Sequence, residues 1–268
     1  MPRPRNRWAF MHQKGGVAKT TSAAAVAGAL VEQGYRVLAL DLDPQGSLTL
    51  ALGFRPQEQS LTIAQVLQSD DPTLWQRAVR PTEVENLDLI PANASLSAVM
   101  STLSGNYLRL RKALDRITTY DFIIMDTPPV LRLDIAPAVA LAADVLLIPT
   151  QAEYFSVYAI ADVLKLVRWA RQSHNPGLMY RIFITMFQKR NRAHALLRAR
   201  LEATFGDGLC QTVIGVDTKV REAAIAGLPI THFAPRSRAA LQYRALTQEV
   251  LAYVREQNPQ TPYPTPKA

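Results

Sequence analysis

Within residues 13–21, two glycines, two lysines and two hydroxyls fall in one short stretch: Lys14, Gly15, Gly16, Val17, Ala18, Lys19, Thr20 and Thr21, preceded by Gln13. That set suits a phosphate chain. Gly15 and Gly16 let the backbone turn tightly and aim N–H groups at phosphate oxygens, and a helix starting just after them adds partial positive charge. Lys19 supplies a mobile cation for the β- and γ-phosphates, Thr20 offers its hydroxyl to Mg²⁺, and Thr21 is a donor for the α-phosphate. Ala18 stands where a glycine commonly precedes the lysine. A Cβ is compatible with the negative φ of a helix start, and negative φ is the expectation here.

Two further acidic stations follow. Asp41 and Asp43, with Pro44, Gln45 and Gly46, end a short apolar run. If the segment is extended, alternation puts both carboxylates on one side, where they suit Mg²⁺ organisation and orientation of a water. A capped turn after a strand is the other reading, since Asp-Pro and Gln-Gly pairs form turns. The third station is Asp126, which ends the apolar run Phe122, Ile123, Ile124, Met125 and precedes Thr127, Pro128 and Pro129. Loop, acid pair and strand-end acid all belong at one edge of a parallel sheet.

The stretch from Lys14 to Thr21 resembles the deviant Walker A loop of the ParA/MinD family of ATPases. The resemblance implies ATP and Mg²⁺ as cofactors and a sandwich homodimer in the ATP-bound state, in which Lys14 reaches the nucleotide of the partner subunit. Such a cation would stabilise charge on the transferred phosphoryl group. The segment from Asp41 to Gly46 resembles the family's switch I, which implies water positioning by Asp43 and an Mg²⁺-shell role for Asp41. The segment from Phe122 to Pro129 resembles its Walker B and switch II, which implies that Asp126 holds Mg²⁺ through water. Further landmarks, around Ile90, Gln151, Met186 and Pro229, keep the family's order, so the resemblance spans residues 7–255. The stretch from Val216 to Ala224 fits more loosely.

Charge placement narrows the partner. The chain has 30 Lys+Arg against 22 Asp+Glu, a net +8, and between Asp162 and Glu202 no acid interrupts nine cations: Lys165, Arg168, Arg171, Arg181, Lys189, Arg190, Arg192, Arg198 and Arg200. Cations gathered on one face are the footprint of non-specific DNA binding through counterion release. By resemblance, Arg190 and either Lys219 or Arg221 sit where family members carry DNA-contacting arginines. Lys189, Arg190, Arg192, Lys219 and Arg221 are therefore the candidate DNA contacts. The implied function is a partitioning ATPase with a ParB-like partner that stimulates hydrolysis and release from double-stranded DNA. A MinD-like or other cargo-positioning ATPase is the alternative.

Elements that position these groups are legible as short aliphatic runs alternating with helical patterns, the signature of an α/β, doubly wound, mostly parallel sheet flanked by helices. Strands are expected at 8–11, 37–40, 87–90, 122–125, 145–148 and 182–186, with a weaker one at 212–214. Helices are expected at 19–33, stopped by Gly34, at 156–172 and at 238–256. Residues 1–256 read as one P-loop ATPase domain and 257–268, with four prolines, as a disordered tail. That tail cannot form an amphipathic membrane helix, so no membrane partner is expected, and the location is cytoplasmic and nucleoid-associated. Cys210 is the lone cysteine, which excludes an internal disulfide, a thiolate zinc site and an iron–sulfur cluster of the nitrogenase iron-protein kind. An ATP-dependent biosynthetic ligase sharing the loop is the remaining enzyme class.

Overall fold

The computed structural model describes residues 6–103, 105–129 and 135–257. Among the described residues eight strands are present: β1 (Arg7–Phe10), β2 (Val37–Asp41), β3 (Arg80–Pro81), β4 (Leu87–Ile90), β5 (Phe122–Asp126), β6 (Val145–Gln151), β7 (Met179–Phe187) and β8 (Leu209–Gly215). They form one sheet in the order β3-β4-β2-β5-β1-β6-β7-β8, parallel throughout except for the short antiparallel edge β3. The strands on both sides of β1 are built by opposite crossovers, so the chain reverses direction of winding at β1. Ligands bind outside the carboxyl ends of strands at such a switch point.

Among the described residues twelve α-helices flank the sheet: α1 (Lys19–Val31), α2 (Ser47–Ala51), α3 (Ile63–Gln68), α4 (Leu74–Ala78), α5 (Leu96–Thr102), α6 (Leu108–Asp115), α7 (Ile135–Ala142), α8 (Ser156–Gln172), α9 (Arg192–Phe205), α10 (Lys219–Ile225), α11 (Ile230–Phe233) and α12 (Arg238–Gln257). Period-two alternation along β1 divides the core. Trp8 and Phe10 join α1 and α12 on one face, while Ala9 and Met11 join α3 and α5 to α8 on the other. Strands buried on both faces explain the unbroken apolar runs of β5 and β6.

Helix α1 is alanine-rich and almost wholly buried; it ends at Val31, two residues before the expected end, and Gly34 follows in the turn at φ +82°. Its Gly28 admits α11, because a Cβ at that position would meet the Pro229 ring at 2.8 Å. The expected helix at 156–172 is present with those bounds. Strand β7 runs longer than expected, held by seven consecutive partners in β6, and α12 continues one residue past the expected end to Gln257. The proline-rich residues 258–268 lie outside the described residues. No helix of the described residues is long and apolar enough to cross a membrane.

Candidate functional site

The phosphate loop connects the end of β1 to the start of α1, and side chains hold its backbone. Gln151 Nε2 donates to Gly16 O at 3.1 Å, Thr185 Oγ1 to Val17 O at 3.2 Å, and Lys19 Nζ to Lys14 O at 2.9 Å. The backbone N–H groups from Gly15 to Thr21 meet no acceptor among the described residues. The first turn of α1 carries no acid, so nothing in it competes for its N-terminal positive charge. Backbone N–H groups gathered at a helix N-terminus without protein acceptors fit an anion that supplies them.

Ala18 departs from the sequence expectation. Its φ is +66° and its ψ +34°, the left-handed region, where negative φ was expected. The loop, not the helix, sets this angle: the chain must swing from Gly16, itself at φ +75°, into the first turn of α1. An L-residue there costs about 1–2 kcal/mol, which is the physical reason for a glycine at such a position.

Lys19 is buried, and its pKa is lowered by that burial against the opposing pull of Asp126 and Asp43. Thr20 Oγ1 donates to Asp126 Oδ2 at 2.6 Å. Asp126 is fully buried, its pKa is raised well above the ordinary value by burial and then by the charge of Asp41, and its Oδ1 has no partner. An unsatisfied buried carboxylate oxygen beside a threonine hydroxyl is what a hydrated Mg²⁺ would complete. Among the described residues no group of three or more His, Cys, Asp or Glu could hold a metal ion.

Asp41 and Asp43 reach the same sheet edge, but not as an extended pair. Asp43 N donates to Asp41 Oδ1 at 3.0 Å, so the chain turns as soon as β2 ends. The other Asp41 oxygen accepts from Thr49 N and Thr49 Oγ1 at 2.8 and 2.7 Å. With both oxygens engaged, Asp41 ties β2 to α2, and burial pushes its pKa up to about 6. The capped-turn reading describes this segment, and the extended pair is not formed. Asp43 Oδ1 accepts from Gln45 N at 2.9 Å.

The side chain of Lys14 points outward, half-exposed, and pairs with Glu153 in the turn after β6. Beside the loop a cleft of about 420 Å³ opens between Ala18, Thr21, Met186, Gln188, Asp217 and Tyr243. Met186 thus borders the space next to the loop, whereas Phe187 does not line it.

The expected basic face is only partly built. Arg181 is buried, not exposed: its guanidinium pairs with Glu249 at 3.0 Å and lies 4.7 Å from the ring centre of Tyr253, both on α12. A strand residue facing α12 cannot join a surface on α8 and α9. Arg171 donates to Leu178 O, Lys165 pairs with Asp162, and Lys219 pairs with Glu222. Lys189, Arg190, Arg192 and Arg221 are exposed. Lys189 and Arg190 line a second cleft, about 490 Å³, together with Arg238 and with Arg198, which pairs with Glu202 at 2.7 Å; no acidic residue is among the lining residues themselves. Arg238 was not anticipated, since it lies far downstream of the basic run. The two clefts share Gln188, Gly215 and Val216 as a common wall.

Residues 6–180 match the AAA domain family designated AAA_31. The chromosome-partitioning ATPase Soj of Thermus thermophilus is 37% identical, over 93% of this chain and 97% of that protein. The chromosome partitioning protein ParA of Caulobacter vibrioides is 33% identical, over 92% and 94%. The chain belongs to the Soj/ParA family. Among solved structures, the cobyrinic acid a,c-diamide synthase of Mycobacterium smegmatis with bound ATP analogue and magnesium superposes on this ParA-family chain with a TM-score of 0.77. It is 27% identical, over 96% of this chain and 97% of that one.

Sequence reasoning gave no role to His12, and it placed Gln151, Glu153 and Thr185 in landmark stretches without assigning them contacts to the loop. Each is a polar residue in or just after the last residues of an apolar strand, and that position beside the loop is the signal they carried.

Proposed function

We propose that this protein is a partitioning ATPase in which MgATP closes two copies over their phosphate loops and the closed dimer binds double-stranded DNA without sequence preference. The observation that carries the reading is the cationic cleft of Lys189, Arg190, Arg198 and Arg238, which shares a wall with the cleft beside the phosphate loop. In this reading Gly15 to Thr21 hold the phosphates, Lys19 neutralises their charge, and Lys14 leaves Glu153 to reach the partner subunit's nucleotide. Thr20 and Asp126 hold Mg²⁺, whose bound charge would screen the phosphate oxygens, with Asp41 behind them through Thr49 and Asp43. Asp43 positions the attacking water. A ParB-like protein accelerates hydrolysis and so releases the DNA.

Arg192 and Arg221 extend the DNA surface, and Lys219 joins it only by giving up Glu222. Residues 1–256 act as one ATPase domain, located in the cytoplasm on the nucleoid. Reversing charge in the cleft tests the reading: Arg190→Glu with Arg238→Glu should abolish retention on DNA and leave MgATP binding intact. Unchanged DNA retention would remove the cleft from the interface.

The structural likeness to the diamide synthase favours a second reading, ATP-dependent amide formation on a small carboxylic acid. Turnover of ATP that requires glutamine or ammonia and a carboxylic acid, and ignores DNA, would establish it instead.

A further inference from the structure

We infer that His12 is a positioning residue of the phosphate loop, acting on the nucleotide through the backbone of Lys14. The proposal rests on the reading of this loop as the ATP site.

His12 follows β1 and is 2% exposed. Its Nδ1 accepts the backbone N–H of Lys14 at 3.0 Å, and the carbonyl of the same Lys14 accepts from Lys19 Nζ at 2.9 Å. Both polar groups of the Lys14 peptide unit are therefore held by side chains. An imidazole that accepts at Nδ1 is neutral and carries its hydrogen on Nε2. Burial, then the charges of Lys19 and Lys14, keep it neutral by lowering its pKa to about 4. The Nε2 atom is buried and has no partner.

That unpartnered N–H is costly, and an apolar side chain of similar size would avoid the cost. What the imidazole supplies in return is the Nδ1 acceptor. When phosphates arrive, Lys19 has a stronger acceptor than Lys14 O, and its hydrogen bond to the loop is given up. His12 is then the remaining side-chain anchor of the Lys14 backbone among the described residues. It holds the loop turned so that the N–H groups of Gly15 and its successors face the phosphates while the Lys14 side chain faces outward.

The test uses the full chain and two variants. His12→Leu keeps the bulk and loses the acceptor, whereas His12→Asn offers an amide oxygen near the place of Nδ1. MgATP affinity, kcat and thermal melting are measured for each, with ¹⁵N spectra of His12 in the wild type. The expected result is a folded His12→Leu chain with MgATP binding weakened about tenfold, restored to within about threefold in His12→Asn. The spectra should show an unprotonated Nδ1 with and without nucleotide. Wild-type affinity and kcat in folded His12→Leu, or equal weakening in both folded variants, would overturn the proposal alone. If His12→Leu does not fold, the asparagine variant and the spectra decide, and a protonated Nδ1 overturns it. Failure of the wild type to bind MgATP would overturn the ATP-site reading and this proposal with it.

Discussion

The Thr20 hydroxyl donates to Asp126 Oδ2 at 2.6 Å, joining the first turn of α1 to the carboxyl end of β5. The contact commits one oxygen of a fully buried carboxylate and leaves the other without a partner. An Asn at 126 can still accept from Thr20 and removes a charge whose burial is unfavourable. Asp126→Asn should therefore melt at or above the wild-type temperature without ligand and lose the Mg²⁺-dependent part of ATP binding. Titration of ATP with and without chelator measures it, and an unchanged Mg²⁺ dependence would remove Asp126 from the metal site.

Ala18, at φ +66°, predicts a gain from the opposite direction. Glycine relieves about 1–2 kcal/mol of left-handed strain and returns about 0.4–1 kcal/mol as extra freedom of the unfolded chain. Ala18→Gly should be more stable by about 0.5–1 kcal/mol in urea denaturation, and Ala18→Val should be less stable than wild type.

His12 and Asp41 titrate in opposite senses. The His12 pKa falls from 6.5 to about 4, chiefly through burial, so between those values the unfolded chain binds more protons. Native stability is lost as pH drops through that window, by about 3 kcal/mol. The Asp41 pKa rises from 3.8 to about 6, again through burial, so the native chain binds more protons there and gains about 3 kcal/mol over a similar fall. The two contributions nearly cancel. His12→Asn removes the first, and its stability relative to wild type should rise by about 3 kcal/mol between pH 6.5 and 4 in denaturant melts. Parallel profiles would contradict the burial argument.

Cys210 is buried beside Arg181 and Glu249, and burial pushes its pKa up to about 12. The thiolate is the reactive form, so the native chain should resist iodoacetamide at pH 8 and react once unfolded. Rapid alkylation of the folded chain would show that the α12 face opens.

Asp43 and Lys14 separate binding from turnover in the proposed cycle. Asp43→Ala should retain MgATP and DNA while hydrolysis falls about 100-fold or more, and Lys14→Ala should bind ATP as a monomer and fail to stay on DNA. Size-exclusion chromatography with ATP, alongside phosphate release, reads both.

The fold and the phosphate loop were legible because their signals are local. Alternating apolar runs set the strands, and glycine, lysine and hydroxyl spacing carries the loop chemistry within nine residues. What sequence reading missed depends on distant partners. The Ala18 φ is dictated by the path from Gly16 into α1, which no propensity of alanine encodes. Arg181 reads as one more surface cation until β7 is placed against Glu249, 68 residues further along the chain. Arg238 lies outside the basic run yet enters the cationic cleft through the packing of α12 against β8. His12 looked like the end of an apolar strand, and only its bond to Lys14 N marks it.

The central claim is a nucleotide switch on DNA binding, and DNA retention of the full chain with ATP and Mg²⁺, with ADP and Mg²⁺, and with no nucleotide tests it most directly. Retention with ATP alone, lost in the Arg190→Glu, Arg238→Glu double variant and falling as salt rises, is the predicted result. Equal retention in all three states, or none in any, would contradict it.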